Sequence, residues 1–326
     1  MTPRERRKAL LEGKAVDHLP IMQLHPDYAA KLAGFEIAES HFSAEKSAER
    51  EIKMYETYHL DMVMVTYFAM KLQSGHLLKS LAGVEALDVS MYTYERDLLQ
   101  RINYEAIERI QEAIGEDIAV TYGVSGPLTL AGGLVPHTAI LRGMRKNKEG
   151  VHRLLRLTTD FLKAMADRFA GVGDIDYMIF EPVASGSLLS PKQFEEFAFP
   201  YLQEIISYLK GKSEEVNLHI CGNTTKSLPL IAKTGADFFS LDQEVDIAEA
   251  VALVGGQIGL MGNVDPTTRY LQGTPAEMRQ AVKACFVAGL KSERDFRICS
   301  GCGVPYHTPE ENMQAYMAAA REFGQL

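Results

Sequence analysis

Apolar residues in this chain fall into short, nearly unbroken runs, separated by longer stretches in which they recur every three or four positions. The runs are Leu19–Leu24, Met62–Thr66, Ile118–Tyr122, Tyr177–Phe180, Val216–Ile220, Phe238–Leu241, Ile258–Met261 and Phe296–Cys299. Such runs suit parallel strands covered on both faces, because neither face meets water. Between them, Val151–Gly171 and Pro191–Lys210 carry apolar positions at helical spacing, and Thr274–Gly289 opens on a capping Thr followed by Pro at the first helical position. Strand alternating with helix eight times predicts an α/β fold, a single (β/α)8 TIM barrel. A doubly wound open sheet is the competing arrangement of the same pattern.

Two regions depart from the alternation. Thr2-Pro3 predicts a helix through Leu11 that stops by Gly13, an N-terminal helical extension plugging or flanking the barrel floor. Its Arg4, Arg6 and Arg7 are expected on a solvated face. The stretch from Tyr67 to Asp117 exceeds one crossover, and predicts an excursion with an extra strand at Asp88–Tyr94 before a helix at Tyr104–Ile114. No repeat, low-complexity tract or linker interrupts the chain, so one domain spanning residues 1–326 is expected.

Composition narrows the partners. The net charge is −9, from 34 Lys+Arg against 43 Asp+Glu, which argues against nucleic acid or an anionic membrane surface, since both require a basic footprint. No apolar run approaches the roughly 18–20 residues that span a bilayer, and the charged start lacks the apolar stretch of a secretory signal. A cytoplasmic location is therefore expected, where the four cysteines serve as metal ligands, reactive thiols or core rather than disulfides.

Barrel enzymes place their chemistry at the C-terminal ends of the strands. Those positions hold Gln23 and His25, then Thr66 and Tyr67, Ser125, Glu181, His219 and Cys221, Asp242, Asn263 and Asp265, and finally Cys299 and Cys302. His219-Ile220-Cys221 is the most informative triplet, because residues two apart at a strand end point to the same side. Cys302 lies in the turn Ser300-Gly301-Cys302-Gly303, whose glycines let the backbone bend a thiolate inward. One His and two Cys form a three-ligand zinc set with one position open, as in catalytic sites; a satisfied core pair is the bland alternative for His219 and Cys221. Zn²⁺ with a neutral imidazole and two thiolates is formally neutral, hence a modest Lewis acid. Such a site suits holding a substrate thiol as a nucleophile better than generating hydroxide. That chemistry is alkyl transfer onto sulfur.

Other positions carry weaker signals. Cys299 and Cys302 spell Cys-x-x-Cys, but a redox pair normally opens a helix after an early strand. Cys299 is thus a spare ligand or core, and Cys285, on a helix, is core. Glu181 is a candidate fourth ligand, partner of His219 or general base, with a helix cap or salt bridge as the alternative. Asn263 and Asp265 either line the pocket or form an Asx turn. Gly123-Val124-Ser125-Gly126-Pro127 suggests close backbone approach to a ligand. Asp242 orients a ligand or caps a helix. His25, His59, His76 and His307 have no identifiable partner.

Ordered motifs run along nearly the whole chain: Asp17-His18-Leu19-Pro20, Gly126-Pro127-Leu128-Thr129-Leu130-Ala131, Glu181-Pro182-Val183-Ala184-Ser185-Gly186 and Leu189-Ser190-Pro191. Further along come His219-Ile220-Cys221-Gly222-Asn223, Gly262-Asn263-Val264-Asp265-Pro266 and Gly301-Cys302-Gly303-Val304-Pro305. Taken together, these motifs resemble the uroporphyrinogen decarboxylase superfamily and, within it, the methylcobamide:coenzyme M methyltransferase branch. The resemblance implies the (β/α)8 fold, with the branch's zinc pattern mapping onto His219, Cys221 and Cys302. Decarboxylases of the family carry an arginine-rich loop after the first strand, whereas Leu19 to Lys31 here contains no Arg. They have an aspartate where this chain runs Thr66-Tyr67-Phe68, and a His where it has Cys302.

The implied activity is zinc-dependent methyl transfer between a methylcobamide, carried by a partner corrinoid protein, and a small-molecule thiol or other methyl acceptor or donor. Glu181, His219, Cys221 and Cys302 are the expected catalytic residues, and Tyr67, Ser125, Asn223 and Asn263 the expected cofactor-binding ones. Two rival expectations are a decarboxylase-like enzyme acting on a small acid and a non-catalytic module that docks a corrinoid protein around a structural zinc.

Overall fold

The computed structural model describes residues 1–67, 78–87 and 97–325. Among them, parallel strands lie side by side in chain order: β1 (Val63–Tyr67), β2 (Val120–Ser125), β3 (Ile175–Phe180), β4 (Val216–Ile220), β5 (Phe238–Leu241), β6 (Gly259–Val264) and β7 (Phe296–Ser300). The first expected strand, Leu19–Leu24, occupies the gap between β7 and β1. It makes a single parallel bridge, Ile21 to Ile298, supported by Met22 N–H to Ile298 O at 2.9 Å and Asp61 N–H to Ile21 O at 3.0 Å. It is not a regular strand, for a local reason. Pro20 has no N–H to give, Ile21 donates to the Asp61 carboxylate at 2.8 Å, and Leu24 donates to Ser300 Oγ at 3.1 Å. Side chains thus accept bonds that a ladder would otherwise take, and the (β/α)8 TIM barrel closes through this segment.

Strand alternation divides the core into two layers. Met22, Leu24, Met62, Met64, Met178, Phe180, Phe238, Met261 and Cys299 form a cluster of their own inside the barrel. The intervening residues, among them Val63, Val65, Tyr67, Val124 and Ile179, pack outward against the helices. Methionine suits the lumen because its unbranched, flexible side chain fills irregular space.

The helices follow the sequence signals with two corrections. The long segment expected as one helix from Pro191 to Lys210 is two, Pro191–Phe197 and Phe199–Lys210, broken at Ala198. Pro200 causes the break, because it has no N–H and its ring clashes with the preceding turn. The N-terminal helix Pro3–Leu11 forms with a Thr2–Glu5 capping box and lies at the barrel floor, where Arg7 pairs with Asp176 of β3 at 2.6 Å. Its arginines are not all solvated: Arg6 is buried and paired with Asp17 and Asp61. The helix expected at Tyr104–Ile114 spans Leu98–Ile114, capped by Asp97. The extra strand expected at Asp88–Tyr94 lies outside the described residues, as does His76. No described helix is long and apolar enough to cross a membrane.

Candidate metal centre at the barrel mouth

His219 is the penultimate residue of β4 and Cys221 follows its end, so both side chains point to the same side of the strand. Gly222, at φ +75°, turns the chain away directly after Cys221, in a conformation L side chains rarely adopt. Cys302 arrives from across the barrel in the turn after β7. Gly301 permits that turn, since a Cβ there would lie 2.7 Å from the Gln243 backbone nitrogen. The ligand atoms of His219, Cys221 and Cys302 all lie within 4.8 Å of one another, and among the described residues no other His, Cys, Asp or Glu joins them.

The spacings suit one ion. Cys221 Sγ and Cys302 Sγ are 3.8 Å apart, and Cys221 Sγ is 3.4 Å from His219 Nε2. A tetrahedral zinc with bonds of about 2.3 Å to sulfur has sulfur–sulfur edges of about 3.8 Å. The imidazole tautomer also fits: His219 Nδ1 faces the Ser240 carbonyl at 3.2 Å and the Ser240 hydroxyl at 3.1 Å. A carbonyl can only accept, so Nδ1 carries the proton and the Nε2 lone pair faces the two sulfurs. The Phe180 ring lies edge-on to the imidazole, with centroids 5.6 Å apart.

The two thiols share a proton unequally. The Cys221 S–H bonded to Cys302 pulls the latter down to about 4, assisted by His219 and opposed by burial. The same contact, with burial, pushes Cys221 up. Cys302 is thus the more acidic thiol of the two, and a bound divalent ion would deprotonate both.

Glu181, expected as a fourth ligand, partner of His219 or general base with a helix cap as the alternative, makes the contacts of a helix cap. Fully buried just after β3, it accepts Leu128 N–H at 3.0 Å, Thr129 N–H at 2.6 Å and the Thr129 hydroxyl. It therefore caps the helix Pro127–Leu134, whose own N-cap, Gly126, has no side chain to do so. Both carboxylate oxygens are engaged there, and the group near His219 Nδ1 is Ser240. Burial, opposed by the three donors, raises the Glu181 carboxyl to about 7.

A cavity of about 250 Å³ opens against the three ligands, lined also by Leu24, Met64, Ser125, Thr129, Phe180 and Val304. Of the expected cofactor-binding residues, Ser125 lies in this wall. Tyr67 does not: it points outward into the helix layer and donates to Asp97 at 2.5 Å. Asn223 donates to Glu244 O at 3.2 Å in the loop after β5 and accepts Thr225 N–H at 3.1 Å in its own loop, and Asn263 donates to Asp242 O at 2.8 Å and Val245 O at 2.7 Å. Both tie loops together outside the cavity wall. Asp265 forms an Asx turn, accepting from Thr267 and Thr268. Cys299 is buried inside the barrel, with its thiol pushed up to about 12 by burial, and Cys285 is buried on its helix.

Four wall or support residues escaped sequence reasoning. Ser240 carries no motif, Thr129 lies within a quoted motif without having been singled out, and Asp27 and His41, which reach the cavity from the first helices after the closing segment, sit in segments without local signal. His25, without a visible partner in the sequence, is buried against Glu51 at 2.8 Å.

Comparison with known proteins bears on the family and the fold. The uroporphyrinogen decarboxylase (URO-D) family model matches residues 2–71 and 75–323. The methylcobamide:CoM methyltransferase MtbA of Methanosarcina acetivorans is 27% identical, aligned over 99% of this chain and 98% of its own length. A uroporphyrinogen decarboxylase of Prochlorococcus marinus is 29% identical, over 68% of this chain and 64% of its own. Among solved structures, a methyltransferase from Methanosarcina mazei superposes with a TM-score of 0.86 at 26% identity, covering 99% of both chains.

Proposed function

The chain belongs to the uroporphyrinogen decarboxylase family, and from its three-ligand centre we propose that it is a zinc-dependent corrinoid methyltransferase. The observation that carries this reading is the convergence of one imidazole and two sulfurs within 4.8 Å at the wall of a cavity rather than inside the core. A zinc ion held by His219, Cys221 and Cys302 would supply a formally neutral Lewis acid that keeps a bound thiol ionised yet nucleophilic. Ser240 fixes the imidazole tautomer, the two thiols release their protons on metal binding, and the apolar wall around the centre excludes water from the sulfur.

The thiolate then attacks the methyl carbon of a methylcobamide. The new sulfur–carbon bond forms as the carbon–cobalt bond breaks, and the electron pair stays on cobalt, taking Co(III) to Co(I). The reverse transfer uses the same residues. The corrinoid belongs to a separate protein that presents it at the barrel mouth, the barrel acts as one domain, and the reaction takes place in the cytoplasm. A decarboxylase acting on a polycarboxylated tetrapyrrole is disfavoured, because Leu19 to Lys31 offers no Arg to pair with carboxylates.

The test is spectroscopic. Purified protein loaded with zinc, mixed with methylcobalamin and a panel of thiols, is expected to bleach the methyl–cobalt band. Absence of demethylation with every thiol, together with no remethylation of Co(I) by methylated thiols, would overturn the reading.

A further inference from the structure

The cavity against the metal centre also constrains what binds there. Its carbon wall comes from Leu24, Met64, Phe180 and Val304, and among the described residues no lysine or arginine lines it. Two polar features stand out against this background. Ser125 is 1% exposed and lines the cavity, and its buried hydroxyl has no hydrogen-bond partner among the described residues. A buried hydroxyl in that state leaves its desolvation uncompensated until a ligand or water arrives. The second feature is Asp27, in the first turn of the helix Pro26–Ala33, at the cavity rim with its carboxylate 4.0 Å from His41 Nε2.

The positions of these groups set a direction. Ser125 pairs with Phe180 across β2 and β3, and Phe180 with His219 across β3 and β4. Ser125 therefore stands two strands from the ligand set, about 10 Å at ~4.8 Å per strand. A small thiol bound by its sulfur at the metal centre extends its far end along the apolar wall, toward Ser125 and the Asp27 rim.

We propose that the site selects a small thiol ending in a hydroxyl or ammonium group over one ending in sulfonate or carboxylate, with Ser125 and Asp27 as its specificity-determining residues. The proposal rests on the thiol-methylation reading above. An anionic tail would exchange water for a carbon wall with the Asp27 carboxylate at its rim and, among the described wall residues, no lysine or arginine in compensation. An ammonium tail pairs with Asp27, and a hydroxyl tail can both donate to and accept from Ser125. The bond changes are unaltered: the thiol proton leaves to solvent, sulfur–carbon forms, and carbon–cobalt breaks toward cobalt.

The experiment compares three thiols of equal chain length, 2-aminoethanethiol, 2-mercaptoethanol and 2-mercaptoethanesulfonate. It uses zinc-loaded protein with methylcobalamin, and calorimetric binding of each thiol is measured on the same preparation. The expected result is a kcat/KM and an affinity for the first two at least about tenfold above the sulfonate. Asp27→Asn should lower the amine-to-sulfonate ratio several-fold, and Ser125→Ala should raise KM for 2-mercaptoethanol with little change in kcat. Equal or better use of the sulfonate, or a ranking unmoved by both substitutions, overturns the proposal. If no thiol demethylates the corrinoid, the methyltransferase reading fails by itself, and the calorimetric ranking still decides the selectivity.

Discussion

His219 presents a lone pair to the cavity because Ser240 occupies its other ring nitrogen, so the supporting residue is as testable as the ligands. Ser240→Ala is expected to weaken zinc binding about 10- to 100-fold with the circular dichroism spectrum unchanged, measured by competition with a chromogenic chelator. His219→Ala and Cys302→Ser should purify with little zinc, whereas Cys299→Ser should retain the full complement, since that thiol is buried in the lumen away from the ligand set. Unchanged zinc content in the first two would discard the centre.

Glu181 yields a prediction of another kind. Its carboxyl, at about 7 in the folded chain against an ordinary 4.5, keeps a proton that the unfolded chain has already lost between those two values. Folding stability therefore falls as pH rises from about 4.5 to 7, and Glu181→Ala should flatten that slope. The same substitution leaves the Leu128 and Thr129 N–H groups without their acceptor, at a cost of about 1–3 kcal/mol. Denaturant titrations at several pH values would show both effects.

At the scale of elements, Asp61 joins three pieces that are distant in sequence. It pairs with Arg6 of the N-terminal helix, receives the N–H of Ile21 in the closing segment, and stands just before β1. Asp61→Ala should cost about 3 kcal/mol, because a buried arginine loses a partner and the bridge beside Ile21 loses its anchor. A loss under about 1 kcal/mol in urea unfolding would refute the anchoring role. These elements were unequally legible in the sequence. The apolar runs marked β1 to β7 because a strand covered on both faces has no polar side to show. The Thr2 and Thr274 caps marked helix starts because a capping side chain acts on its own next turn. The closing segment carried the same apolar signature yet forms one bridge, since its hydrogen bonds go to Asp61 and Ser300. Pro200 is the local signal for the break at Ala198, and the apolar spacing that continues through it hides that signal.

Across the whole molecule, the two ends of the barrel do different work. At the floor, Arg297 donates two hydrogen bonds to the Glu215 carboxylate, at 2.8 and 2.9 Å, and Arg7 pairs with Asp176. At the mouth are the candidate metal ligands and the cavity. Arg297→Ala should therefore destabilise the protein by about 3–5 kcal/mol while leaving zinc bound per folded molecule unchanged, measured by unfolding and by metal analysis of the native fraction. Coupled loss of zinc at constant fold would mean that floor and mouth are not separable.

This division also separates what the chain alone determined from what the tertiary structure decided. Two periodicities, of strand and of helix, were enough to predict an alternating α/β fold, because burial acts on neighbouring positions in a repeating way. Closure into a barrel instead of an open sheet rests on the long-range bridge at Ile21. The two-residue spacing of His219 and Cys221 at a strand end put both on one side of that strand by the same local rule. The meeting of Cys302 with them at tetrahedral spacing, Ser240 behind the imidazole, Glu181 spent on a helix end, and the unpaired Ser125 hydroxyl are contacts between residues far apart in sequence. Each depends on how distant elements pack, which local pattern does not encode, and each bears directly on what the site can bind.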